Sequence, residues 1–267
     1  MPSRSPQKFG SAAVFSALAV AMVAGSANAS VSDPALTIFA DNGSATDVFT
    51  IPLALLAPGG PVGSLTYTLP GSVTLPNTGT IIQNLNLVYV PENAVPAQEN
   101  RIGLNYTLWT GTEATTFTVS SGEFTLPGLP AQFGRGSAGV SITNGTFDGT
   151  ADADVVFTGL QGGGLGFLTQ FDGGFGAGPA YTPAGSLLNV FGPASFSSPN
   201  SNFGIDSLDY TFLGVPRTTM SSQWRFSLSP NDQVGVISSF FSSSVIPAPG
   251  AAALLAFGGL VVARRRR

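Results

Sequence analysis

The chain of 267 residues contains no histidine and no cysteine, and its one lysine, Lys8, lies near the N-terminus. These absences remove whole classes of chemistry. Ser-His-Asp and Cys-His sites need an imidazole base. Ser-Lys dyads and Schiff bases need an amine inside the fold. Zinc sites of the His/Cys type have no ligands to draw on. A phosphate-cradling loop needs its lysine, so the cluster Gly162, Gly163, Gly164 and Gly166 reads as a flexible turn. No disulfide can form, which leaves the folded state to its core, with or without a bound metal.

Charge is also scarce, at 9% of residues against about 25% in an ordinary soluble domain. Arg4 and Lys8 stand at one end and Arg264, Arg265, Arg266 and Arg267 at the other, with only Arg101, Arg135, Arg217 and Arg225 between them. All fourteen acids lie in that middle region. A body so acidic suits divalent cations or plain solubility, and it argues against a nucleic-acid partner, whose phosphates need a basic surface.

What the chain has instead is glycine (34), proline (20), phenylalanine (20) and a hydrophobic content of 43%. Thr, Val and Phe favour strands, and Gly, Pro, Asn and Asp break them with turns. Short runs read as strands at Leu36–Ala40, Val48–Leu56, Leu65–Leu69, Thr80–Val90, Ile102–Thr110 and Thr115–Val119. Further runs follow at Asp154–Thr158, Ser186–Phe191, Ser207–Leu213 and Gln223–Ser229. Ile102, Leu104, Tyr106 and Leu108 alternate with Gly103, Asn105 and Thr107. Trp224, Phe226 and Leu228 alternate with Arg225 and Ser227, and Leu208, Tyr210 and Phe212 with Asp209 and Thr211. A period of two places one face on a core and the other in water. The expected fold is all-β, an antiparallel β-sandwich or jelly-roll-like body. The Gly-rich stretch Gly159–Pro183 reads as loops around a strand at Leu165–Phe171 within one domain. Ser238–Ser244, rich in Ser and Phe, reads as a short linker.

Both ends carry apolar runs. Arg4 and Lys8, then Ala12 to Ala24, then Ala27-Asn28-Ala29 have the three parts of a secretory signal, with cleavage expected between Ala29 and Ser30. The C-terminus runs Val245-Ile246-Pro247-Ala248-Pro249-Gly250, an apolar stretch Ala251 to Ala263, and the basic cluster Arg264-Arg265-Arg266-Arg267. Thirteen helical residues span roughly 20 Å, short for a hydrocarbon core of about 30 Å. The four arginines belong on the cytoplasmic side, which leaves the body outside. The prolines hold the backbone before the apolar run extended and accessible to a processing enzyme.

This order of Pro-x-Pro, apolar helix and terminal arginines resembles the PEP-CTERM sorting tail of exported bacterial proteins. Pro247 and Pro249 match that motif's two prolines, while Ala248 stands where its usual Glu would be, giving the Pro-Ala-Pro variant. Arg264, Arg265, Arg266 and Arg267 match its basic cluster. The resemblance covers about 22 residues and is silent on the body. It implies processing by an exosortase near Pro247 to Gly250, after signal peptidase has acted at the other end. The precursor would be held in the inner membrane by its C-terminal helix, then passed to the cell surface or extracellular matrix. The expected organisation is therefore a signal helix over 1–29, a β-rich extracellular body over 30–244 and a sorting tail with a short transmembrane helix over 245–267.

Carboxylates are the remaining source of chemistry in the body. Glu92, Glu99, Glu113 and Glu123 are the glutamates a glycosidase would draw on, yet nothing in their spacing makes two of them converge, and no catalytic residue is assigned. Asp148, Asp152 and Asp154 gather three oxygen-ligand side chains in seven residues and suit calcium. Asp41-Asn42-Gly43-Ser44 with Asp47 form a weaker cluster of the same kind. No other cofactor is expected. Trp109 and Trp224 are large enough to floor a sugar-binding groove, although core packing is the ordinary role for both; Trp109, out of phase with the Ile102–Leu108 face, is the better placed for exposure. The expectation is a non-enzymatic surface or matrix protein, structural or adhesive, with exopolysaccharide as the natural partner. The alternative is a carbohydrate-binding sandwich, with calcium as its candidate cofactor.

Overall fold

The structure, a computed structural model, describes residues 30–60, 63–92, 99–126, 131–143, 156–161, 166–172, 194–195, 201–204 and 211–244. Several expectations fall outside them. These are the signal with Ala27 and Ala29, and the tail with Pro247, Ala248, Pro249 and Gly250 and its cluster Arg264, Arg265, Arg266 and Arg267. Asp148, Asp152 and Asp154, the strand expected at Ser186–Phe191, and Leu208 and Tyr210 also lie outside.

Among the described residues eighteen strands follow in chain order. They begin with β1 (Ser30–Val31), β2 (Leu36–Asp41), β3 (Thr46–Ile51), β4 (Ala57–Pro58), β5 (Leu65–Thr68), β6 (Ser72–Thr74), β7 (Ile81–Val90), β8 (Asn100–Trp109) and β9 (Thr115–Ser121). They continue with β10 (Phe124–Thr125), β11 (Ala131–Thr143), β12 (Val156–Gly159), β13 (Phe167–Phe171), β14 (Ala194–Ser195), β15 (Ser201–Gly204), β16 (Thr211–Arg217), β17 (Thr219–Leu228) and β18 (Gln233–Ser243). Among the described residues the only helical piece is a 3-10 turn at Leu53–Leu55, and no helix is long and apolar enough to cross a membrane.

The pairings among these strands are antiparallel and sort into two sheets. The first runs β1-β10-β17-β9-β2-β3, with β12 and β13 also on β17 and β14 on β12. The second runs β15-β11-β18-β8-β7-β5-β4, with β16 on β11 and β6 on β7. They pack as a sandwich around one core, as the alternation in β8, β9 and β17 requires. Ile102, Leu104, Tyr106 and Leu108 from β8 meet Phe117, Val119, Trp224, Phe226 and Leu228 from β9 and β17. Rings cross the gap: Phe171 of β13 meets Phe240 of β18 edge-on at 4.8 Å, and Tyr89 of β7 meets Phe124 of β10 at 5.4 Å. The Trp224 indole donates to Ser238 Oγ across the sheets at 3.0 Å, so its one polar atom is satisfied inside the core.

Strand β7 shows how phase is corrected. Ile82 faces the core, and strict alternation would then bury Asn84, Asn86 and Val88. Instead the register shifts between Gln83 and Asn86, with Asn84 at φ 53°. Asparagine accepts that left-handed conformation more readily than most residues. The bulge turns Leu85, Leu87 and Tyr89 inward, each fully buried.

Two expectations are corrected. Val48–Leu56 is not one strand: β3 ends at Ile51, Pro52 follows without an N–H to donate, and the chain turns at Leu53–Leu55. Ser238–Ser244 is not a linker. Apart from Ser244 it belongs to β18, which lies between β8 and β11 in the interior of its sheet. Its serines are small rather than loop-forming. Ser238 makes room for Trp224, and Ser242 sits beside Met220, its hydroxyl 3.4 Å from the sulfur.

Candidate functional site

The register places the two limits of the described body at one end of the sandwich. Ser30 pairs with Thr125, and Thr125 with Thr219 at the start of β17. Ser243, the last residue of β18, pairs with Phe133 near the start of β11, and the first residue of that strand, Ala131, pairs with Arg217. Only Thr218 separates Arg217 in the second sheet from Thr219 in the first. The points where the two apolar runs join the fold, Ser30 and Ser244, therefore share this near end. The far end carries the Asp41–Thr46 hairpin, the Thr74–Ile81 turn, the Trp109–Thr115 loop and the Leu228–Gln233 turn.

Polar side chains fasten the near end. Glu92, just past β7, accepts the Ser244 N–H at 3.2 Å and its hydroxyl at 2.6 Å through one carboxylate oxygen. Buried Asn100 supports it, accepting the Glu92 N–H at 2.9 Å and donating to the other carboxylate oxygen at 3.4 Å. Glu99 pairs with Arg135 at 2.9 Å, and that guanidinium lies 3.9 Å from the centre of the Phe241 ring. Arg101, exposed on the next strand, is 5.8 Å from the same ring. The row Arg135, Phe241, Arg101 follows from register, each being the direct cross-strand partner of the next.

On the other sheet Asp172 takes Arg217 at 3.1 Å and the Thr218 N–H at 2.8 Å. Desolvation opposes ionisation of Asp172, but the bonds from Thr218, Arg217 and Thr219 outweigh it and hold its pKa below the ordinary 3.8. Glu123 accepts the Thr219 hydroxyl at 2.5 Å, and its N–H donates to Ser32 Oγ at 2.8 Å. Gly122 is required here, because a Cβ would stand 2.8 Å from Pro34 O and 2.9 Å from Ser32 O.

The far end spends its acids on turns. Asp41 accepts the Gly43 N–H, and Asn42 accepts the N–H groups of Ser44 and Ala45, closing the β2–β3 hairpin. Asp47, on the edge strand β3, points inward to the turn before β7. It accepts the N–H groups of Asn77 and Thr78 at 3.0 and 2.7 Å and the Thr78 hydroxyl at 2.9 Å. Desolvation raises the Asp47 pKa, but these bonds lower it by more, for a net fall. A charge turned inward on an edge strand also discourages a second chain from adding there. Asp232 is buried in the β17–β18 turn, its N–H donating to Thr110 Oγ1 at 2.9 Å and its carboxylate receiving the Ser229 hydroxyl.

These placements answer the sequence expectations one by one. Glu113 and Glu123 lie at opposite ends of β9, ten residues apart and so roughly 30 Å by strand rise. Glu92 and Glu99 share the near end, but each is committed to its own partner. Asp41, Asn42 and Asp47 do not converge, since Asp41 and Asn42 close their own turn while Asp47 reaches the second sheet. Among the described residues no group of three or more acids gathers as a metal site. Trp224 is core, with no exposed surface. Trp109 is on the outer face of the second sheet, half-buried between Ile81 and Gln233.

Comparison with known proteins decides nothing here. No family model, curated protein or solved structure matches the chain.

What the sequence did not announce is the pairing of Glu92, named only among four glutamates, with Ser244, named only as the end of an expected linker. A glutamate after Val-Tyr-Val-Pro and a serine before Val245 carry no motif, and only the fold brings them together.

The outer face of the second sheet is a different kind of surface. Register aligns Ser137, Ser239, Gly103 and Val88 in one row, and Gly139, Ile237, Asn105 and Asn86 in the next. Ser141, Gly235, Thr107 and Gln83 follow. These are small or uncharged side chains, so the face is flat, and Ile237 stands 58% exposed within it.

Proposed function

We propose that this is an exported protein sorted by its C-terminal tail to the cell surface or extracellular matrix, where its body is structural or adhesive rather than enzymatic. The observation that carries the reading is the join between body and tail. Interior strand β18 runs to Ser243, Glu92 fastens Ser244, and only Val245 and Ile246 precede Pro247. On this reading the Pro-x-Pro motif begins three residues past Ser244, close to the end of an interior strand, where a processing enzyme would meet it. Helices over the signal and tail regions and a jelly-roll-like winding of the body belong to this reading, as do signal peptidase and exosortase as partners. So does a cytoplasmic place for Arg264, Arg265, Arg266 and Arg267, which would stop the tail from passing through the membrane.

Altering the tail tests it. In the native host, the double variant Pro247→Ala/Pro249→Ala should accumulate as an inner-membrane precursor. A chain ending at Ser244 should appear in the medium instead of on the surface. Unchanged distribution of both would refute the sorting role.

A second reading, a carbohydrate-binding sandwich, is favoured by the face around Asn105, Asn86, Ser137 and Ile237, with Trp109 at its margin. Calcium enters through Asp148, Asp152 and Asp154. Binding to purified exopolysaccharide with and without chelator separates a calcium-dependent lectin from a purely structural body.

A further inference from the structure

We propose that, while its apolar tail is in place, the sandwich stands end-on to the membrane, with the end that carries Ser30, Glu92, Arg101, Arg135 and Ser244 toward the lipid surface. This rests on reading Ala251 to Ala263 as membrane-embedded. Three independent features point the same way.

The first is reach. Ser244 is pinned by Glu92 and continues a strand held on both sides by β8 and β11. Ala251 lies seven residues on, which a fully extended chain covers in at most about 25 Å. The eleven residues of β18 extend away from this point for about 36 Å. The far-end turns thus sit a full strand length beyond the root of the tether.

The second is the position of Ser30. It is paired at the same end, six residues after the run Ala12 to Ala24. Until the signal is removed, both apolar runs root the body at one end, which biases that end toward the bilayer.

The third is charge. Arg101, Arg135 and Arg217 all lie at the near end, where Arg135 and Arg217 are paired with Glu99 and Asp172. Exposed Arg101 is left to face anionic headgroups, its guanidinium beside the Phe241 ring. The far-end turns carry Asp41, Asp47, Glu113 and Asp232 and, among the described residues, no arginine or lysine. The near end also holds Asp33, Glu92, Glu99, Glu123 and Asp172, so its three arginines stand against five acids, while the far end has four acids and, among the described residues, no cation. An anionic surface therefore repels the near end less than the far end. Through this orientation the Asp41–Thr46 hairpin and the Trp109–Thr115 loop are the parts of the anchored precursor that first meet anything outside.

The absence of cysteine makes the test direct. Single cysteines at Thr125 (near end) and at Thr112 or Ala114 (far end), all exposed positions, are labelled with a donor dye in the full-length chain. The labelled proteins are reconstituted into phosphatidylethanolamine/phosphatidylglycerol vesicles carrying a headgroup acceptor, and unfolding curves confirm that each variant keeps its fold. Energy transfer should be several-fold stronger from T125C than from T112C or A114C, corresponding to about 30 Å more separation for the far sites. Equal or reversed transfer in protein that floats with the vesicles overturns the orientation while leaving the anchor intact. Protein that does not float overturns the anchor reading, and the orientation with it.

Discussion

One carboxylate oxygen of Glu92 accepts both the backbone N–H and the hydroxyl of Ser244, at 3.2 and 2.6 Å, and so ties the residue after β18 to the exit of β7. Replacing it by alanine should free Ser244 and fray the end of β18 without unfolding the sandwich. The expected loss of stability is about 1 kcal/mol, typical of a partly exposed hydrogen-bonded pair. Limited proteolysis followed by peptide mapping should show faster cutting near residues 243–246 in Glu92→Ala than in the parent chain. Equal cutting rates would mean that the pair contributes nothing to holding the junction.

The bond from Trp224 to Ser238 predicts a coupled pair. Ser238→Ala strands a buried indole N–H and should cost about 1–3 kcal/mol in denaturant unfolding. Trp224→Phe leaves a cavity and an unpaired hydroxyl. Combining the two should cost less than the sum, because each single change already breaks the same bond. Strict additivity would show that the bond carries no energy.

Asp47 and Asp172 both ionise more readily in the fold than at the ordinary 3.8. The unfolded chain therefore takes up protons first as pH falls, and stability falls with it. The contribution is fully present above the unfolded value of 3.8 and is lost as pH drops through the lower folded values. Melting temperature should hold steady from neutrality to about pH 5 and decline below about pH 4. Asp172→Asn and Asp47→Asn should each be less stable at neutral pH and show a shallower acid decline. An acid decline as steep as the parent's in both variants would assign it to other groups.

Ile237 tests the flat face. Ile237→Arg points into solvent and should leave stability within the usual range for a surface change, about 0.5 kcal/mol. If the outer face of the second sheet is where the body meets polysaccharide, retention on an exopolysaccharide column should fall several-fold. Retention equal to the parent's would remove that face from consideration.

The all-β class and the two-faced strands were legible because long side chains alternate in them: the residues singled out on β8 and β17 bury as their period says. Strands β11 and β18 escaped notice for a physical reason. Much of their inward side is small, with Gly134, Gly136 and Ala138 on β11 and Ser238 and Ser242 on β18 beside the larger Phe240. Ser238, for example, accepts the Trp224 indole N–H at 3.0 Å, and Ser242 lies 3.4 Å from the Met220 sulfur. Composition alone makes such strands look like loops. The β7 bulge is likewise invisible to a strict period of two. Pairs such as Glu92 with Ser244 and Asp47 with Thr78 join residues 152 and 31 positions apart. They exist only once the sheets have set the register. The proposed tail rests on local order alone: the run from Pro247 to the arginines at 264, 265, 266 and 267 needs no tertiary structure to be noticed.

The central claim is that this chain is trimmed at both ends on its way to the surface. Intact-mass and C-terminal peptide mass spectrometry on protein recovered from the native cell surface tests it most directly. The account predicts a chain that begins at Ser30 and ends between Pro247 and Gly250. A surface form that still carries Ala251 to Arg267 and fractionates with membrane would contradict it, and would make the tail a plain anchor.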